Sequence, residues 1–169
     1  DTGPVYHRVA TPIERRETGG TLHDRLSELG ARALVEALPG IAEGSRAPEA
    51  QDDALATYAH KLSKDEATID WSAPAIDIER QVRAFDPWPV AQTTLEGATL
   101  RIWSAEAESE DAAGDSAAPG TVVGADRTGI RVATGAGRLC VTRLQPAGKK
   151  PMSAADYLNA RHLDGARFD

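Results

Sequence analysis

The tetrapeptide Asp86-Pro87-Trp88-Pro89 divides the sequence into two textures and constrains the fold more than any other feature. Neither proline can continue a helix, because each lacks a backbone N–H and its ring collides with the preceding turn. Before it, apolar residues recur at helical spacing. After it, they come in short β-branched runs punctuated by Gly and Asp. Ala91–Leu95 and Thr99–Ser104 read as a hairpin about Gly97, followed by strands at Thr121–Ala125, Gly129–Thr134 and Arg138–Leu144. So many short antiparallel strands in so few residues predict a small barrel or sandwich.

Upstream, Ile78, Val82 and Phe85 share one stripe of a helix predicted from Ala75 to Phe85, opened by Pro74. Leu22, Leu26, Leu29, Ala33 and Leu38 predict a longer amphipathic helix. Its start is read at Thr21-x-x-Asp24 and its end at Pro39-Gly40. Val5–Ile13 is β-branched and aromatic and reads as a strand. Residues 44–57 are rich in Gly, Ser, Pro, Asp and Ala, and 44–60 read as a linker. Ser63-x-x-Glu66 opens a short turn, Thr68–Trp71 is a brief extended piece, and Ser153-x-x-Asp156 starts a last helix reaching about Arg161.

Aromatic residues make up only 5% of the chain, so Trp71, Trp88 and Trp103 are each expected at a small core or interface. Trp88, stiffened between two prolines, is assigned to core packing. Cys140 is the single cysteine, which excludes an internal disulfide and favours a reducing compartment. No apolar run is long enough to span a bilayer. His7, His23, His60 and His162 are scattered, so no metal site is expected. The chain opens on Asp1-Thr2-Gly3-Pro4 without an initiator Met, and residue 1 reads as a cut.

Net charge is −7, which taken alone disfavours a nucleic-acid partner. The charges are unevenly spread. Glu106, Glu108, Glu110, Asp111 and Asp115 lie in a stretch without a basic residue, and 106–118 reads as a mobile acidic loop. Residues 127–169 carry eight Lys/Arg against three Asp/Glu. Within them, Leu144-Gln145-Pro146-Ala147-Gly148-Lys149-Lys150-Pro151-Met152-Ser153 sets two adjacent lysines on a Pro/Gly loop before a helix start. That displays paired positive charge on a fixed platform, as a phosphate backbone requires. Lys61, Lys64, Arg80, Arg83 and Arg143 are the other candidate phosphate contacts, Arg80 and Arg83 as i, i+3 neighbours on one helix. For each of these, an ordinary ion pair with Asp65, Asp77 or Glu79 is the competing role. Asp1, on a tight loop feeding a strand, is a carboxylate able to orient a histidine.

Four stretches carry a resemblance. They are Asp1-Thr2-Gly3-Pro4, Lys61-Leu62-Ser63-Lys64-Asp65-Glu66-Ala67 with Ile69-Asp70-Trp71, Arg83-Ala84-Phe85-Asp86-Pro87-Trp88-Pro89, and Leu144–Lys150 running to Ser153-Ala154. In this order they resemble the methionyl-tRNA formyltransferase family. The resemblance implies an α+β protein: the terminal strand and helix of a Rossmann-like formyltransferase domain, then a small antiparallel β-barrel of the oligonucleotide-binding (OB-like) type. It implies a division into 1–43 (end of the catalytic domain), 44–60 (linker) and 61–169 (tRNA-binding domain). It also implies an enzyme that moves a formyl group from 10-formyltetrahydrofolate, its co-substrate, to the α-amino group of methionine on initiator tRNA. Asp1 matches the family's catalytic aspartate, while the catalytic Asn and His lie upstream, so this portion by itself is expected to be inactive. A bacterial cytoplasmic monomer without a metal is implied as well. Asp86 departs from the family pattern, where Asn is common.

Two other readings compete. A relative that formylates an amino-sugar nucleotide shares the Asp-x-Gly and Pro-Trp-Pro features, but needs no second phosphate platform at Gln145–Lys150. A free-standing RNA-binding barrel leaves the strand and helix of residues 1–43 with apolar faces they cannot bury.

Overall fold

A computed structural model describes residues 2–108 and 117–169. Asp1 and most of the acidic loop lie outside the described residues. The chain divides into two compact units, Asp1–Lys61 and Leu62–Asp169.

The first unit is built on helix α1, Gly19–Ala42. Its cap is Thr18, three residues upstream of the predicted Thr21. The Thr18 hydroxyl accepts from the Thr21 amide at 3.3 Å, and the Thr21 hydroxyl accepts from the Thr18 amide at 3.0 Å. The two threonines thus satisfy each other's orphan donors, which is why the helix begins earlier than an acidic N3 residue suggests. Pro39 does not end the helix; it sits inside it, and Glu43 N–H still donates to Pro39 O at 2.9 Å. The bond lost at Pro39 falls on Val35, which is 70% exposed, so water can replace it. The expected strand at 5–13 is reduced to one bridge, in which Val5 and Glu49 exchange both amide bonds. Beyond it Arg25 takes up the polar groups, donating to Pro12 O at 2.7 Å, to the Thr11 hydroxyl, and to Glu17 at 2.6 Å. Without a neighbouring strand, β-branched residues alone do not make a sheet. Only Ala37 of α1 is buried, while Leu26, Leu34, Val35 and Leu38 are exposed.

The second unit carries the core. Helix α2 (Ala75–Ala84) is followed by strands β1 (Gln92–Leu95), β2 (Ala98–Glu108), β3 (Val122–Asp126), β4 (Gly129–Ala133), β5 (Arg138–Pro146) and β6 (Met152–Ser153), then helix α3 (Ala154–Leu158). These strands pair with one another antiparallel, in the order β1-β2-β5-β4-β3, with β6 on β5. β2 runs four residues further than predicted, adding Ala105 and taking Glu106–Glu108 from the expected loop, because these four residues pair with Val141, Cys140, Leu139 and Arg138 of β5. Leu100, Ile102, Ile130, Val132, Leu139, Val141 and Leu144 fill the interior, and Ile78 and Val82 of α2 close over it. The last helix stops at Leu158, short of the expected Arg161.

Strands alone do not close the sheet. Residues 166–169 lie along both of its edges. Asp169 N–H donates to Thr94 O at 3.0 Å on the β1 side, while Phe168 N–H donates to Gly120 O at 2.8 Å and Val122 N–H donates to Ala166 O at 2.8 Å on the β3 side. Phe168 is 1% exposed and packs on Trp71, ring centroids 5.6 Å apart. Trp71 Nε1–H donates to the Thr93 hydroxyl at 2.9 Å, which donates to Asp169 O at 2.7 Å. Gly120 (φ +87°) lets the tail pass, since a Cβ there would lie 2.3 Å from Phe168 O. Trp88, assigned to the core from sequence, is 52% exposed at the corner between α2 and β1. Its neighbours in the chain turn there, and the core is filled by residues from other elements.

Candidate nucleic-acid interface

The bulge in the β2–β5 ladder, between Ile102 and Ala105, decides which side chains face outward. Leu100 and Ile102 point into the core; Arg101 is exposed and Trp103 half-buried on the opposite face. Across the ladder, Gln145 stands opposite Arg101, and Arg143 opposite Ser104. The Arg143 guanidinium lies over the Trp103 ring, 5.9 Å from its centroid, a cation–π distance.

Gln145 joins this face to the lysine loop. Its Oε1 accepts from Trp103 Nε1–H at 2.9 Å, and its Nε2–H donates to Lys149 O at 2.8 Å. A further bond, Lys149 N–H to Pro146 O at 3.1 Å, closes the turn, with Gly148 at φ +72°. Lys149 and Lys150 are therefore exposed on a loop whose backbone is fixed at both ends. Positive charge on such a loop meets a phosphate with little ordering left to do.

The other predicted cations are disposed differently. Arg80 is held by Asp77 at 2.8 Å within α2. Arg83 is half-buried against Glu79 at 3.4 Å, and Glu79 in turn accepts from Ala107 N–H at 2.9 Å. These two arginines thus have carboxylate partners, as the competing role required, and Arg83 is tied to the end of β2. Lys64 is exposed at the start of the short turn Asp65–Ala67. Lys61 is exposed at the end of the first unit. Asp1, the expected catalytic residue, lies outside the described residues.

Arg143 has a second neighbour. Burial pushes the Asp86 carboxyl above its ordinary range, and the Arg143 charge works against that push. At the far end of the sheet the electrostatics are self-contained: Asp126 is held well below the usual carboxylate range by the Thr128 hydroxyl and amide and by Arg131. Arg131 also donates to Glu108 at 3.1 Å. Among the described residues, no ion pair engages Lys149 or Lys150 at the β5–β6 end. Among the described residues, no three His, Cys, Asp or Glu side chains converge as metal ligands, and no helix is long and apolar enough to cross a membrane.

Arg101 is not among the sequence candidates for phosphate contact, Gln145 enters there only as the first residue of the Gln145–Lys150 motif, and Trp103 only as a residue of the core or an interface. The alternation Leu100/Ile102 against Arg101/Trp103 is visible in the sequence, but the bond that unites Trp103 with Gln145 spans 42 positions and is not.

Residues 61–162 match the family model for the formyl transferase C-terminal domain. A protein of Pseudomonas paraeruginosa named methionyl-tRNA formyltransferase is 53% identical over 161 residues, covering 95% of this chain and 50% of the relative. One of the same name from Pseudomonas fluorescens is 50% identical, covering 95% and 49%. The chain thus spans about half the length of the curated relatives it matches. The crystal structure of HypX from Aquifex aeolicus in complex with tetrahydrofolic acid superposes with a TM-score of 0.67 at 20% identity, covering 93% of this chain and 27% of HypX, and so shares its fold.

Proposed function

The chain belongs to the formyl transferase C-terminal domain family, and from that premise we propose that it forms the second half of an enzyme that formylates methionine on initiator tRNA. The formyl donor is 10-formyltetrahydrofolate. The observation that carries the proposal is the lysine pair Lys149–Lys150, fixed by Gln145 beside Arg143 and Trp103 on the outer face of the sheet. Half-length coverage of relatives bearing the methionyl-tRNA formyltransferase name supports the assignment of substrate.

In this reading residues 1–43 complete the catalytic domain, 44–60 link, and 61–169 form an OB-like barrel that holds the tRNA. The edge-to-edge hydrogen bonding of residues 166–169 supports the barrel assignment. The exposed apolar residues of α1 support docking of the first unit on the upstream half of the enzyme, which covers them. The cytoplasm of a bacterium and a monomeric state complete the proposal.

Chemically, the α-amino group of methionine attacks the formyl carbon and the new C–N bond forms; the bond from that carbon to the donor nitrogen then breaks, and the proton given up by the amine ends on the departing nitrogen. Asp1 keeps an upstream histidine protonated, so that the oxyanion of the tetrahedral intermediate meets a positive donor. No metal enters. The folate contacts belong to the upstream half, and no residue of this chain is assigned to them.

In the full-length enzyme, Lys149→Ala with Lys150→Ala should weaken tRNA binding and lower the slope of log K against log salt by about 2, one for each lost phosphate contact. Affinity for the formyl donor should stay unchanged. An unaltered salt slope would remove the lysine platform from the interface. Formylation of an amino-sugar nucleotide in place of Met-tRNA would favour the sugar-type relative.

A further inference from the structure

A depression of about 340 Å³ lies between the start of the β1–β2 hairpin and the β5–β6 loop, lined by Gln92, Thr99, Arg101, Gln145 and the turn Pro146–Gly148. Its floor is a cross-strand row, with Gln92 opposite Arg101 and Arg101 opposite Gln145. Two residues further along β2 on the same face stands Trp103, about 7 Å from Arg101 at strand spacing. We infer that this depression and the adjoining indole form a pocket for one unstacked nucleotide of the bound RNA, Arg101 taking its phosphate and Trp103 the face of its base. The inference rests on the tRNA-binding assignment of the sheet and adds to it where a single nucleotide docks.

Four observations carry it. Arg101 is exposed, and no ion pair engages it among the described residues, unlike Arg80, Arg83 and Arg131. Trp103 is oriented by Gln145 and by Arg143, so its ring is held in place before any ligand arrives. The Gln145 amide carries a second N–H beyond the one given to Lys149 O, and Gln145 lines the depression. The lining of the depression contains no carboxylate, which suits an anion. A fully paired helix keeps its bases stacked and cannot offer one to a half-buried indole, so the occupant is an unpaired nucleotide, such as loops of folded RNA present.

The test uses the full-length enzyme and its Trp103→Phe and Arg101→Gln variants, with a short single-stranded RNA and a blunt RNA duplex as probes. The difference in intrinsic fluorescence between the parent and Trp103→Phe isolates Trp103 from the other tryptophans. Single-stranded RNA should quench that difference signal, and the duplex should not. Arg101→Gln should weaken single-strand binding on the order of tenfold and lower its salt slope by about 1. A thermal melt of each variant confirms folding. If single-stranded RNA binds through Lys149 and Lys150 yet leaves the Trp103 signal unchanged, or if Arg101→Gln keeps affinity and slope, the pocket is refuted while the RNA interface stands. If neither RNA probe nor tRNA binds the parent, the interface itself falls and the pocket with it.

Discussion

Asp86 shows how one side chain at a corner can work against the fold that holds it. Burial raises its carboxyl pKa, and Arg143 only partly offsets this. A raised folded-state pKa means that the native protein binds this proton more tightly than the unfolded chain. The group therefore favours folding when protonated, and ionisation costs stability as pH rises through and above the carboxylate range. Asp86→Asn should accordingly gain ~0.5 kcal/mol at pH 7, the scale of a change at a half-exposed site. The gain should shrink toward zero at about pH 3, where Asp86 is protonated in both states. Urea unfolding at both pH values measures it. Loss of stability at pH 7 would mean that the attraction to Arg143 outweighs desolvation. Single residues were also where sequence said least. Trp71 and Trp88 are equivalent on composition alone, yet one is 5% exposed and the other 52%. What separates them is distant in the chain: Trp71 packs on Phe168 and donates to Thr93, whose hydroxyl is itself held by Asp169 O.

At the scale of elements, those with a strong internal period were legible and those that depend on a partner were not. Helix α2 and the strands β3, β4 and β5 were placed to within about two residues, because Pro74 and the Gly and Asp turns mark their ends. β6 has two residues and exists only by pairing with β5. Val5–Ile13 has the right composition for a strand but one bridge partner. Helix α1 was legible by its apolar spacing, whereas its ends were set by reciprocal threonine bonds and by a proline carried on an exposed face. The cap gives a direct test. Thr18→Ala removes the acceptor for the Thr21 amide and should cost about 1 kcal/mol of helix stability. Circular dichroism at 222 nm should register fraying of the first turn of α1. Unchanged helicity across a thermal ramp would show that the Arg25 contacts with Pro12, Thr11 and Glu17 hold the start of the helix without the cap.

At the scale of the molecule, the candidate interface was half legible. The lysine pair stands out in the sequence, but the face it belongs to is assembled by sheet register, and two of the expected arginines turn out to be engaged by acidic neighbours on their own helix. The feature that sequence gave no sign of is the tail. Residues 166–169 are too short to read as a strand, yet they hydrogen-bond to Thr94 on one edge of the sheet and to Gly120 and Val122 on the other. They also insert Phe168 into the core beside Trp71. Such a segment joins the first strand to the third without belonging to either. Phe168→Ala should therefore cost about 3–5 kcal/mol, the range for removing a buried aromatic ring, and lower the Tm by more than about 10 °C. Arg167→Ala, one position earlier and exposed, should cost under about 0.5 kcal/mol. Deleting residues 166–169 should also raise amide exchange at both Thr94 and Val122, on opposite edges of the sheet, because the same four residues protect them. Faster exchange at one edge only would show that the tail merely covers that edge, and that the rest of the sheet holds its shape without it.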